Sequence, residues 1–221
     1  MNISLGQLLG DLAVLVIAAW ALTLAWAAWR APWRKLFQPD NFNVFLGACV
    51  LVMVLWKLRA GVSPGLDIHF LGITTLVLMF GWEMAVIAST VILAGLTWFG
   101  TGVWSDFPAN AFVTGIIPAS VTAGVLWLAE RWLPKHFFIY VYVGAFFGGA
   151  LAIVASALFA AALLWLSGAY APAQLWREFL AYLPLLALPE GFLNGMIMTG
   201  LVVLKPEWVA TFSDERYLKG K

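Results

Sequence analysis

Residues 66–99 read LDIHFLGITTLVLMFGWEMAVIASTVILAGLTWF. Two apolar runs, 66–80 and 82–99, are separated only by Phe80-Gly81-Trp82. Strand-period alternation is absent, which argues against a barrel, whereas apolar stretches of about 20 residues cross a bilayer as helices. The stretch predicts two membrane helices joined by a very tight hairpin. Asp67 and His69, one of two histidines in the chain, stand at the mouth of the first.

The rest of the chain repeats this pattern. Its 221 residues are 63% hydrophobic and 10% charged, with a mean hydropathy of +0.94, a composition that fits a polytopic membrane protein. The expected fold class is an all-α bundle of seven transmembrane helices, over about 8–29, 42–60, 66–80, 82–99, 109–130, 138–167 and 178–204. No repeat or linker divides it, so residues 1–221 read as a single transmembrane domain. The formal net charge of +1 gives no sign of nucleic-acid binding. Cys49, the single cysteine, reads as a small buried hydrophobe and excludes a disulfide framework. The opening MNISLGQLLGD lacks Lys and Arg, so no cleaved signal peptide is expected and Met1 stays.

Orientation follows from the basic residues. With the N-terminus outside, Arg30, Arg34, Lys35, Arg131, Lys135, Lys205, Arg216, Lys219 and Lys221 fall inside, against Lys57, Arg59 and Arg177 outside. Nine against three favours N-out, C-in. Trp29, Trp33, Trp98, Trp104, Trp132, Trp176 and Trp208 fall near the span ends, as an aromatic belt would. Ala21-x-x-x-Ala25 and Gly144-x-x-x-Gly148 are small-residue pairs that let helices approach closely, within this chain or against another membrane protein.

Polar residues are few. Asp67, His69 and Asn110 share one depth with the N-terminus on the outer side, the raw material of an external site. An imidazole suits Ni²⁺, Co²⁺, Cu²⁺ and Zn²⁺, but an Asp-x-His at an interface also fits a hydrogen-bonded turn. His136, on the basic side, reads as a headgroup-facing residue, and Glu83 as part of the hairpin. Glu190 lies well inside the seventh span, after Pro184 and Pro189. An ionisable residue at membrane depth is a functional candidate; the alternative is an acid that bonds a neighbouring helix and holds the bundle together. No phosphate-binding loop, His-Glu-x-x-His or Ser-x-x-Lys is present, so an enzyme is disfavoured.

Residues 63–115 resemble the membrane substrate-binding components of cobalt and nickel energy-coupling-factor transporters, the CbiM/NikM family. His69-Phe70-Leu71-Gly72 is similar to that family's His-Leu-x-Gly, and Ala109-Asn110-Ala111-Phe112-Val113-Thr114-Gly115 to its Ala-Asn-x-Phe-Asn-Met-Gly, with Val113 at the second Asn. PEGFLNGMIMTGLVVLKPEW, residues 189–208, resembles the closing helix, Glu190 matching its glutamate and Lys205-Pro206 its Arg-Pro. The resemblance implies a compact bundle with an outer metal site. In the family that site takes the terminal amine, the second residue's amide nitrogen and imidazole, and the histidine of His-Leu-x-Gly. Met1 and His69 are the corresponding ligands here, with Asn2, Asn110 and Glu190 supporting. This chain departs at position 2, where Asn2 replaces the family's histidine and lowers the donor strength. Asp67 then compensates as an oxygen ligand or orients His69.

The function implied is the substrate-binding membrane component of an energy-coupling-factor importer for a divalent transition metal: Co or Ni, with Zn or Cu open. No permanent cofactor is expected. The partners implied are membrane lipid, a transmembrane coupling protein that docks on the Ala21/Ala25 face, and cytoplasmic ATPases, in a bacterial inner membrane. The alternatives are a non-transporting scaffold or assembly factor that kept the fold, and a transporter of an organic substrate.

Overall fold

The computed structural model describes residues 3–59, 66–67 and 69–218. After a 3-10 turn at Leu5–Gln7, helix α1 (Gly10–Arg30) is apolar around its circumference, as a lipid-solvated helix must be. Only Ala13, Val16 and Ala27 of it are buried. A single turn, α2 (Trp33–Leu36), leads to α3 (Pro39–Lys57), whose proline takes the first position, where its missing N–H costs nothing. Then come α4 (Ile73–Phe80) and α5 (Trp82–Trp98). Next, α6 (Phe107–Ala111) runs through π-helical turns, Phe112–Ile116, into α7 (Ile117–Trp132). In the same way α8 (Phe137–Ile139) passes through Tyr140–Phe147 into α9 (Gly148–Leu166). Finally α10 (Pro172–Glu178) and a 3-10 turn precede α11 (Leu183–Leu204), with α12 (Asp214–Tyr217) near the C-terminus.

Five of these continuous runs, beginning at Gly10, Asp40, Phe107, Phe137 and Pro172, are long and apolar enough to cross a bilayer; α5 is shorter. They coincide closely with the expected spans. The hairpin is as tight as the sequence implied: Gly81 turns the chain alone, at φ +87°, a conformation that L side chains rarely adopt. Glu83 beside it pairs with Arg30 at the end of α1, 3.9 Å away.

The third span differs from expectation. The run over 66–80 is helical only from Ile73 to Phe80, and the described residues ahead of it are extended or irregular. Eight residues rise about 12 Å, less than half a bilayer. The physical reason is position. Every residue from Ile73 to Met79 is buried, with α5, α7, α9 and α11 around the helix. Non-helical backbone is tolerated at membrane depth where protein encloses it and satisfies its polar groups.

Side chains and a returning segment supply those partners at both ends of α4. At its C-terminus, Met79 carbonyl accepts from Ala210 N–H (2.8 Å), and Leu78 carbonyl from Thr211 N–H (3.3 Å) and Thr211 Oγ1 (2.7 Å). Tyr140 Oη lies 2.6 Å from Thr211 Oγ1, and Tyr217 Oη donates to Glu130 (2.9 Å). Residues 210–217 thus fold under α4 as a plug.

Gly144 and Gly148 are buried against Leu126, Thr122 and Thr74, so that small-residue pair serves packing inside the bundle. Ala21 and Ala25 are exposed on α1.

Candidate metal-capture site

Two pairs of side chains, each spaced i, i+4 on one helix face, organise the end of the bundle that carries the termini of α1, α4 and α6. In the first pair, Glu190 and Asn194 project from α11 to the start of α4. Glu190 Oε2 accepts from Leu71 N–H at 2.9 Å and Oε1 from Gly72 N–H at 2.8 Å. Asn194 Nδ2 donates to Glu190 Oε1 and to Glu190 carbonyl, both at 2.8 Å. Its Oδ1 accepts from Thr75 N–H (2.9 Å) and Thr75 Oγ1 (2.8 Å). A helix start leaves unpaired N–H groups and a partial positive charge. A carboxylate with three donors around it answers both needs.

The second pair, Asp106 and Asn110, treats the N-terminal segment the same way. Asp106 Oδ1 accepts from Leu5 N–H at 2.9 Å. Asn110 Oδ1 accepts from Ile3 N–H (2.8 Å), while its Nδ2 donates to Ile3 carbonyl (2.9 Å) and to Asp106 carbonyl (3.0 Å). Ile3 has no exposed surface and shares one apolar cluster with Leu66 and Ala109. The backbone next to Asn2 and the segment leading to His69 therefore pack on a common core.

The segment carrying His69 is tightly held. Trp56 Nε1–H donates to Leu71 carbonyl at 2.8 Å, and its ring lies 5.4 Å from the imidazole. His69 Nδ1 bonds Phe70 carbonyl at 2.9 Å. A carbonyl only accepts, so Nδ1 carries the proton and Nε2 keeps a lone pair, the arrangement that second-sphere bonds give to ligand histidines. His69 is 6% exposed. Its unprotonated Nε2 can bind a cation without losing a proton.

Of the expected site residues, Asn110 and Glu190 are both buried and both hold backbone. Asp67 is half-buried and faces Arg59, whose pKa burial lowers and Asp67 raises. Met1 and Asn2 lie outside the described residues, as do Ser63, Pro64, Gly65 and Ile68. Among the described residues no three His, Cys, Asp or Glu side chains cluster as a cation site. His136 caps its own turn, accepting from Phe138 N–H at 3.2 Å. Trp56, Asp106 and Asn194 escaped the reading of the sequence. The i, i+4 spacing of Asp106 with Asn110 and of Glu190 with Asn194 was the available signal.

Fold and site together define a class: a multi-pass helical membrane protein with a clamped half-helix at its core. Two crystal structures share the architecture. One is of a truncated transition metal transporter, 22% identical, with a TM-score of 0.76, covering 92% of this chain and 99% of that one. The other is of a transition metal transporter, also 22% identical, with a TM-score of 0.77 and coverage of 92% and 93%. No curated protein matches the chain. The CbiM family, described as the cobalt uptake substrate-specific transmembrane region, matches residues 2–208. The chain belongs to this family: it is the substrate-specific membrane component of a cobalt-type transition-metal uptake transporter, and that is a transport role rather than an enzymatic one.

Proposed function

We propose that the chain, acting as one domain in an N-out, C-in orientation, captures a divalent transition-metal ion at its outer face. His69 Nε2 and nitrogen donors of the amino-terminal stretch form the site, with Met1 supplying its amine. Asn110 and Glu190 act as supports that hold the two backbone segments. Asp67 serves the site through charge, as a further oxygen donor or as an orienting group. The carrying observation is that Ile3 is pinned by Asn110 on the same apolar cluster as Leu66, three residues before His69. Four nitrogen ligands suit Co²⁺, Ni²⁺ or Cu²⁺; with Asn2 offering a carboxamide, the set is weaker and less selective. Cobalt is the family's substrate, and we assign Co²⁺ or Ni²⁺ as the cargo here.

No nucleotide-binding loop occurs in the sequence. Energy therefore comes from cytoplasmic ATPases through a transmembrane coupling protein. The exposed Ala21/Ala25 face of α1 is the docking surface proposed for that partner, since small residues let backbones approach.

Asn2 favours one other reading, a non-transporting scaffold that kept the fold. Uptake of radioactive cobalt separates the two. Cells expressing the chain together with the coupling and ATPase subunits of an energy-coupling-factor transporter should take up cobalt, and His69→Ala should abolish the uptake. No uptake above that of cells lacking the chain supports the scaffold reading, and uptake that survives His69→Ala removes His69 from the site.

A further inference from the structure

His69 is followed by two consecutive peptide units whose four polar atoms are all partnered by side chains. In the first, between Phe70 and Leu71, Leu71 N–H donates to Glu190 Oε2 (2.9 Å) and Phe70 carbonyl accepts from His69 Nδ1 (2.9 Å). In the second, between Leu71 and Gly72, Gly72 N–H donates to Glu190 Oε1 (2.8 Å) and Leu71 carbonyl accepts from Trp56 Nε1 (2.8 Å). Glu190 and Trp56 are both buried.

Capping of α4 explains only part of this. Gly72 is the N-cap, so its N–H is one that a helix start leaves without a partner. Leu71 N–H lies one residue ahead of the helix, where capping asks for nothing, and Glu190 spends a whole oxygen on it. The gain is at the other end of that peptide. A peptide unit is planar, with its N–H and C=O pointing opposite ways, so fixing one end fixes the other. Glu190 on the Leu71 N–H thereby aims the Phe70 carbonyl at the imidazole. A carboxylate on the N–H also polarises the unit and strengthens its carbonyl as an acceptor. Trp56 and Glu190 Oε1 hold the second unit from both ends, so the first cannot rotate away, and the Trp56 ring stands 5.4 Å from the imidazole.

Histidines that bind metals commonly give their far N–H to a carboxylate or a backbone carbonyl, which fixes the tautomer. Here a carboxylate and a carbonyl act in series. We propose that Glu190 is a positioning residue acting on His69 through the Phe70–Leu71 peptide, keeping the proton on Nδ1 and the lone pair on Nε2, with Trp56 bracing the next peptide unit. As a device for metal capture it rests on His69 Nε2 being a ligand; as a relay it rests on these bonds alone.

Solid-state NMR of the full chain, labelled at the histidine nitrogens and freed of metal, tests this at a pH where both rings are neutral. With two histidines in the chain, His136 is an internal reference. In the wild type His69 should carry its proton on Nδ1, and His136, whose Nδ1 accepts from Phe138 N–H, on Nε2. Glu190→Gln should move the His69 proton to Nε2 in a measurable fraction of molecules and weaken Ni²⁺ binding about tenfold. Trp56→Phe keeps a ring but loses the indole N–H. It should move both readouts the same way to a smaller extent, and it carries the test if Glu190→Gln fails to fold. Thr211→Val loosens the opposite end of α4 and should leave the tautomer as it is. A wild-type His69 protonated on Nε2, a tautomer unmoved in every folded Glu190 or Trp56 variant, or an equal change in Thr211→Val would overturn the proposal. The expected tautomer changes in a protein that binds no Ni²⁺ would uphold the relay and refute metal capture instead.

Discussion

Glu190 shows how an ionisable side chain can be both costly and necessary inside a membrane. It is 1% exposed, yet three donors meet its two oxygens. Glu190→Gln keeps the shape but can accept at only one end, so a buried N–H of Leu71 or Gly72 is left facing an amide NH₂. Each unsatisfied buried donor costs about 1–3 kcal/mol. The variant should melt markedly lower in detergent and bind metal more weakly; an unchanged melting temperature would show that the clamp carries no weight.

The apolar lengths and the hairpin were legible in the sequence because they depend only on hydropathy and on Gly81. The half-helix was not. Residues 66–80 are apolar enough to read as a full span, and what ends the helix at Ile73 is a set of acceptors from α11, more than a hundred residues away. Local pattern cannot report such a partner. Its counterpart, Asp106 with Asn110, holds a segment at Ile3 and Leu5 too short to carry any periodicity. Close packing of α9 on α11 underlies the first clamp: a Cβ at Gly149 would lie 2.9 Å from Asn194 Nδ2. Gly149→Ala should therefore displace Asn194 and destabilise the protein by about 1–3 kcal/mol. Hydrogen exchange should rise at Thr75 N–H ahead of amides in α1. Equal protection in the variant would mean that Asn194 does not depend on this contact.

Across the bundle, α4 is fixed at one end by Glu190 and Asn194 and at the other by residues 210–211, so the site end and the C-terminal plug share one rigid element. Thr211→Val removes the hydroxyl bonded to both Leu78 carbonyl and Tyr140 and should cost about 1–2 kcal/mol, read as a lower melting temperature. The proposed N-out, C-in topology rests on charge asymmetry alone, and a C-terminal reporter that is active only in the cytoplasm is the expected outcome. Family membership identifies the transport role; the proposed site rests on Met1, Asn2 and the sequence motif around His69, whereas the clamps beside it came only from the fold. Calorimetry with Ni²⁺ or Co²⁺ on protein with its native, untagged N-terminus joins these pieces. The wild type should bind weakly, Asn2→His should bind far more tightly by adding an imidazole beside His69, and His69→Ala should remove the gain. Binding should also weaken as pH falls, since the donors must be free of protons. No gain from Asn2→His, or a gain that survives His69→Ala, would contradict a site shared by the amino-terminal stretch and His69.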